Sequence, residues 1–330
     1  MPAPADDEVL IAVRACGICG TDSHLWQGLF PIRKLPRVLG HEFAGKIVEV
    51  GAGVERFQSG DPVVADINIG CGQCFYCQRD QKLLCPSLEQ LGIHRDGGFA
   101  EYVAAPVVAL RGLPPNMSFA DAALVEPVVC ALHGQDRVGT APGESLAIIG
   151  AGPMGLIHAM LGKLRGAAPI VLTESNAHRL EHARRLGVEH VLDAREPDVV
   201  EHVRAATGGF GADVVIEAVG SEETYAQATE MLRPGGRLLM FGAPAPETTM
   251  TIRPFEIYRN EWTFVGSFAG TYRTWLDAIA LLANGRLDTS VLITAQIPLE
   301  RLAASLDEIS TDPTAIKVQV GFTAANERTQ

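Results

Sequence analysis

Several things are scarce in this 330-residue chain. No hydrophobic run approaches the length of a membrane span, so no transmembrane segment is expected. Positive charge is in deficit: 27 Lys and Arg face 39 Asp and Glu, for a net charge of −12. That balance argues against a nucleic-acid or anionic-membrane surface. The opening MPAPADDEVL is acidic, with neither a basic n-region nor an apolar h-region, so no secretion signal is expected. Internal repeats, low-complexity tracts and flexible linkers are also missing. What remains, 47% hydrophobic and 20% charged, describes a soluble globular protein, long enough for two domains and expected in the cytoplasm.

The first hundred residues favour short strands and turns. EVLIAVRA (8–15), AGKIVEVGAG (44–53), DPVVADI (61–67) and FAEYVAAP (99–106) carry β-branched residues between Gly, Pro and Asp breaks. PIRKLPRVLGHE (31–42) reads as a loop with a basic cluster, Arg33, Lys34 and Arg37. From about 145 the pattern changes. The strand SLAIIG leads into a helix over 154–166, the strand IVLTE (170–174) into a helix over 176–187, and HVLDA, ADVVIEAVG and GGRLLMFG alternate with helical stretches. Such alternation implies βαβ units and a parallel sheet. WTFVGSF (262–268) reads as a further strand, and the tail after it is mixed.

Gly150-Ala151-Gly152-Pro153-Met154-Gly155 fits G-x-G-x-x-G, between a buried strand and a helix. A second strand ends in Glu174, 24 residues after Gly150, close to the spacing of a ribose-binding carboxylate. Gly150 allows the tight turn, Gly152 lets backbone approach a pyrophosphate, and Gly155 lets the helix pack on the sheet. The helix N-terminus favours the phosphate charge. Glu174 would bond both ribose hydroxyls and repel a 2′-phosphate, which favours NAD over NADP. Arg179 is the counter-signal: it can accommodate a phosphate, lie over the adenine or be solvated.

Seven cysteines are present, and four fall within fifteen residues. Cys71, Cys74, Cys77 and Cys85 form C-x2-C-x2-C-x7-C in a glycine-containing loop, a set that suits a closed, structural tetrahedral zinc site. Iron–sulfur ligation is the chemical competitor. Cys16 and Cys19, three apart and followed by Thr21, Asp22 and His24, are ambiguous by spacing alone: a knuckle, a redox pair, or one ligand beside a bystander.

Taken in order, CGICGTDSH, GHE (40–42), the four-cysteine lobe, VEP (125–127) and GAGPMG resemble the zinc-dependent medium-chain dehydrogenases. The resemblance covers nearly the whole chain and is strongest to the polyol branch of sorbitol, xylitol and arabitol dehydrogenases, related to threonine dehydrogenase. It implies a fold of class α/β plus β: a GroES-like β-rich catalytic domain over 1–127, a Rossmann domain over 128–267 with a doubly wound parallel sheet, and a return to the catalytic domain over 268–330. The structural zinc lobe falls at about 70–86.

By the same resemblance, Cys19 and His41 hold a catalytic zinc with Glu42 or Glu126, and a fourth position stays open to water or substrate. Thr21 takes the substrate proton, His24 relays it through the cofactor ribose, and Asp22 orients the zinc histidine. Plainer readings exist: a surface loop histidine for His24, a turn residue for Asp22, a helix-start carboxylate for Glu126. Cys16 reads as a small buried hydrophobe. Trp26, Phe30, Arg95 and Glu101 are candidate pocket residues, and the basic cluster is either a phosphate subsite or a solvated loop. Cys130, His94, His133 and His158 carry no assigned role.

The implied activity is hydride transfer between a secondary alcohol of a polyol or sugar-like substrate and NAD. An amino-alcohol dehydrogenase acting on threonine or an aminocyclitol is the alternative, and a non-catalytic NAD-binding protein of the same fold a more distant one. The family also implies a homodimer or homotetramer joined through Rossmann sheets, with 262–268 as the edge strand. One departure stands out: family members carry a strand pair of about twenty residues ahead of the EVLIAV-like segment, which here begins almost at Met1.

The division between the two early cysteines is directly testable. Cys19→Ser should abolish turnover, whereas Cys16→Ala should largely preserve it; equal losses would overturn the assignment.

Overall fold

The computed structural model describes residues 1–32, 34–309 and 312–322. The chain forms two compact units, one comprising Met1–Val129 and the stretch from Ala269 onward, the other Cys130–Phe268. In chain order the elements are β1 (Glu8–Gly17), α1 (Gly20–Trp26), β2 (Glu42–Val50), β3 (Pro62–Ala65), β4 (Asn68–Ile69), β5 (Glu89–Gln90), β6 (Tyr102–Pro106), β7 (Leu110–Gly112), α2 (Phe119–Ala122) and α3 (Val125–Val138). There follow β8 (Leu146–Ile149), α4 (Pro153–Arg165), β9 (Ile170–Glu174), α5 (Ala177–Arg185), β10 (His190–Asp193), α6 (Val199–Ala206), β11 (Ala212–Glu217), α7 (Glu222–Met231), β12 (Leu232–Met240), α8 (Pro254–Asn260) and β13 (Thr263–Gly266). The chain closes with α9 (Tyr272–Ala283), β14 (Ile293–Ile297), α10 (Leu302–Glu308) and β15 (Lys317–Gly321).

The first unit is built around β1. It lies inside a sheet of order β14-β15-β1-β2-β3-β7, and β6 pairs with it as well. Strand neighbours on several sides explain its composition: Val9, Leu10, Ile11, Val13, Ala15 and Cys16 are all buried, so no clean polar alternation is possible. Register shifts at Leu10/Ile11 and Val13/Ala15 bend it enough to serve all three partners. Phe43, Ile47, Val63 and Val103 complete its core. Two strands come from the tail, β15 antiparallel to β1 and β14 parallel to β15.

The second unit is a six-stranded parallel sheet of order β10-β9-β8-β11-β12-β13. Strand order reverses between β8 and β11, and ligands bind at the carboxyl ends of strands beside such a reversal. Leu146, Ala147, Ile148 and Ile149 of β8 are all buried, as a strand with covered faces requires. α4 starts with Gly152 as N-cap and Pro153 in its first turn, and stops at left-handed Gly166. A Cβ on Gly155 would lie 1.8 Å from the Gly150 carbonyl oxygen, so only glycine lets α4 sit this close to the end of β8.

One local reading changes. Residues 20–26, expected as part of a turn-rich stretch, form helix α1, because the Asp22 carboxylate accepts from the Cys19 N–H and closes a capping box.

Gly155→Ala should lower the unfolding free energy by about 1–3 kcal/mol through overpacking. Urea denaturation of the purified protein measures it, and an unchanged midpoint would contradict the close packing.

Candidate metal and dinucleotide sites

β1 delivers Cys19 and β2 begins at Glu42, with His41 just before it. The antiparallel register sets Gly17 opposite Glu42, and this brings residues more than twenty positions apart side by side. The ligand atoms of Cys19, His41 and Glu42 all lie within 4.8 Å of one another. His41 and Glu42 are buried, and Cys19 is half-buried.

Asp22, with no exposed surface, ties this cluster together. Its Oδ2 accepts from the Cys19 N–H at 3.0 Å, its Oδ1 accepts from the Gly40 N–H at 3.2 Å, and Oδ1 lies 3.2 Å from His41 Nδ1. Burial works against a charged imidazole, but the Asp22 carboxylate and Cys19 outweigh it and hold the His41 pKa well above its usual value. A carboxylate on one ring nitrogen fixes the ring's orientation and leaves the other nitrogen for a metal. The donor set of thiolate, imidazole and carboxylate suits a zinc ion with an open position.

Sequence reasoning missed Lys317. Its Nζ lies 2.7 and 2.8 Å from the two Glu42 oxygens and 3.3 Å from the Ile18 carbonyl, with both charged side chains buried. Burial opposes its charge, yet Glu42, with Cys19 and Glu126 adding to it, raises its pKa. Gly17 makes the room: a Cβ there would stand 2.0 Å from Glu42 Oε2. The available signal was a lone lysine inside the apolar run AIKVQVG. Glu126, buried in the first turn of α3, falls outside the 4.8 Å cluster, although its charge reaches Lys317.

Thr21 and His24 lie on α1, both half-buried. The His24 ring packs edge-on against Phe30 at 4.8 Å, and its buried Nδ1 has no protein partner. Trp26 donates to Asp307 at 2.9 Å, and Ser23 to the Leu306 carbonyl, so α10 holds α1 from outside. Cys16 is fully buried in the core, and burial, followed by the charges of Asp22 and Glu42, pushes its thiol pKa up. It stands outside the metal cluster, as packing requires. Arg95 bonds Glu8 at the start of β1, and the Glu101 carbonyl accepts from Val13. Arg37 is paired with Asp96 at 2.8 Å, so its charge is already satisfied; Arg33 is outside the described residues.

The sulfurs of Cys71, Cys74, Cys77 and Cys85 also lie within 4.8 Å of one another. Thiolates bound to one zinc at about 2.3 Å can be no more than about 4.6 Å apart, which matches a single ion better than a multi-iron cluster. Backbone N–H groups of Gln73 and Cys74 bring the Cys71 pKa down to about 6, while desolvation pushes Cys77 to about 11. Lys82, inside the lobe, bonds the buried Asp66, which also accepts from Arg111 at 2.9 Å. That carboxylate anchors the lobe to the β-rich sheet.

In the parallel unit, Gly150 closes β8 at φ +98°, a conformation that favours glycine. A Cβ on Gly152 would meet nothing within 4 Å, so the turn is open where a phosphate would approach. Ala151 N–H donates to Glu174 Oε2 at 2.8 Å, and Glu174 Oε1 accepts from Ser175 and Asn176 at 2.8 and 2.9 Å. Glu174 therefore stands at the fingerprint with its carboxylate orientation fixed. Arg179 Nη1 is 4.0 Å from it, and Arg179 Nε is buried without a partner. Pro153 and Met154 open α4. His158, on the same helix, is fully buried, depressed to about 3 by burial and then by Arg165, and packed on Phe241; it is a neutral core residue.

Comparisons with known proteins identify relatives of the whole chain. Residues 5–115 match the family described as alcohol dehydrogenase GroES-like domain, and residues 153–284 match zinc-binding dehydrogenase. The chain is 37% identical over 316 residues to D-arabinitol dehydrogenase 1 of Uromyces fabae, covering 94% of this chain and 89% of that one. It is 35% identical to sorbitol dehydrogenase of Bacillus subtilis, covering 91% and 86%. A solved structure from Sinorhizobium meliloti 1021, assigned as a zinc-binding dehydrogenase and bound to NADP, superposes with a TM-score of 0.93 at 36% identity, covering 97% and 94%.

Lys317→Met should destabilise the protein by about 3–5 kcal/mol, because it strands the buried Glu42 charge. The double variant Lys317→Met with Glu42→Gln should recover most of that loss. Equal denaturation midpoints for the single and double variants would count against the pair.

Proposed function

Because this chain belongs to the zinc-dependent medium-chain alcohol dehydrogenase family, we propose that it oxidises a secondary alcohol of a polyol or sugar-like substrate with NAD. The observation that carries the reading is the convergence of Cys19, His41 and Glu42 around Asp22 in the unit that matches the alcohol dehydrogenase domain. The relatives that act on arabinitol and sorbitol support the substrate class. Dinucleotide binding is assigned to the Cys130–Phe268 unit, where the Gly150–Gly155 turn meets Glu174. Its carboxylate repels a 2′-phosphate, so NAD is the proposed cofactor.

Two zinc ions are proposed, one in the four-cysteine lobe and one held by Cys19, His41 and either Glu42 or Glu126. At the latter, a bound zinc would supply Lewis acidity, lowering the pKa of an alcohol hydroxyl and stabilising the negative charge left on its oxygen when the proton departs. A dinucleotide held at the Gly150–Gly155 turn would supply the hydride acceptor. The chain's own groups handle the proton and the geometry. Thr21 accepts the substrate hydroxyl proton by hydrogen bonding and passes it to His24, whose unpartnered Nδ1 leaves capacity for a relay. Asp22 keeps the His41 ring oriented. Lys317 compensates Glu42, so two carboxylates and a thiolate can share a buried site.

The protein is further proposed to be a cytoplasmic homodimer or homotetramer. Among the described residues β13 ends its sheet and pairs only with β12, which leaves one edge open there for a second copy. Among the described residues no helix is long and apolar enough to cross a membrane.

A panel of polyols and amino alcohols, followed by NADH and NADPH absorbance in parallel, tests the substrate and cofactor; metal analysis tests the zinc count. NAD-linked oxidation of a polyol by protein carrying two zinc ions per chain is expected. Activity confined to threonine or an aminocyclitol would establish the alternative substrate class, and no dinucleotide reduction with any alcohol would sink the reading. A monodisperse monomer by light scattering would refute the assembly.

A further inference from the structure

Glu217, the last residue of β11, is fully buried at the strand reversal and has no part in the chemistry described above. Its Oε1 accepts three donors: Val219 N–H at 2.8 Å, Gly220 N–H at 2.8 Å and the Thr224 hydroxyl at 2.9 Å. Its main-chain carbonyl accepts from the N–H groups of Phe241 and Gly242, at the end of β12. The second carboxylate oxygen, Oε2, is buried and receives no full hydrogen bond: the neighbouring Tyr225 hydroxyl, whose pKa is raised by burial and then by Glu217, donates to the Gly242 carbonyl at 2.8 Å. Leaving such an oxygen unpaired is costly, so a neutral side chain would serve better if the position were only packing.

The surroundings are shaped to this carboxylate. A Cβ on Gly242 would stand 2.7 Å from Glu217 Oε2 and 2.3 Å from the Gly220 nitrogen. Gly220, at φ +91°, turns its backbone against Ala243 and Pro244. Two loops that leave neighbouring strands are thus clamped back to back around one side chain. The segment it holds faces the fingerprint: a Cβ on Gly150 would lie 2.8 Å from Val219 Cγ2, and Ala218 N–H donates to the Ile149 carbonyl at 3.0 Å. Val219 remains 51% exposed, an apolar side chain displayed beside the phosphate-binding turn.

We propose that Glu217 is a positioning residue for the dinucleotide: it holds Ala218–Val219–Gly220 against Gly150 in the arrangement the cofactor binds. A loop already ordered adds little entropy cost on association, whereas a loop released by loss of Glu217 must be ordered by the ligand. The inference rests on the reading of Gly150–Gly155 as a dinucleotide site, and wild-type binding of NADH or NADPH tests that reading separately.

The experiment is fluorescence titration of the purified holoenzyme with NADH, together with steady-state kinetics and a thermal melt. Glu217→Ala should raise the Kd for NADH and the KM for NAD about tenfold or more, with kcat at saturating NAD within about twofold. Glu217→Gln, which retains an oxygen acceptor for the three donors, should restore most of the affinity. A lowered Tm with the NADH Kd within twofold of wild type would mean that Glu217 serves the fold alone, and would overturn the proposal. If Glu217→Ala does not fold, Thr224→Val removes one of the three donors and should weaken NADH severalfold. An unchanged Kd in that variant would overturn the proposal equally.

Discussion

The pairing of β1 with β2 is the constraint on which the β-rich unit depends. Neither strand carries a complete site. Cys19 follows one and His41 precedes the other, and only the antiparallel register makes them neighbours. Asp22 then converts proximity into geometry, because a single carboxylate bonds the Cys19 and Gly40 amides and the His41 ring. The tail adds the counter-charge: β15 pairs with β1 and places Lys317 against Glu42. A buried acid beside a thiolate would be untenable without it.

The same device recurs through the molecule. Asp22 fixes the ligand-bearing ends of two strands, Asp66 anchors the cysteine lobe through Lys82, Glu174 binds the Ala151 amide of the fingerprint, and Glu217 gathers two loops at the strand reversal. In each case a buried carboxylate accepts from donors on segments that have little core of their own. Hydrogen bonds to an ionised acceptor are stronger than neutral ones, and a carboxylate can take several donors at once. Loops that carry ligands cannot rely on hydrophobic burial, since they must stay open to what they bind. Glycines complete the arrangement by vacating the space these carboxylates occupy, at Gly17 beside Glu42 and at Gly242 beside Glu217.

The motifs themselves were legible. Four cysteines in a short loop, a glycine fingerprint between a strand and a helix, and an acid at the end of the next strand are local patterns whose chemistry follows from residue type and spacing. β1 and β8 were visible as apolar runs. What spacing could not reveal was any partnership across long sequence separations. Lys317 lies 275 residues from Glu42, and nothing near either residue announces the other. The helix at 20–26 was hidden because its cap is a carboxylate inside a stretch that resembles a turn. Nothing in the sequence announced that Arg95 pairs with Glu8, 87 residues away.

From the sequence alone came the strand-rich and βαβ stretches, the four-cysteine lobe and the dinucleotide turn, because each depends on short-range patterns of side-chain chemistry and backbone freedom; the ligands of the Cys19 site came only from the family resemblance. That resemblance, rather than spacing, also separated Cys19 from Cys16. Tertiary structure alone decided which buried charges neutralise one another and which carboxylates hold which loops. Those outcomes depend on strand register and on the desolvation of charges, and both exist only once distant segments have packed together.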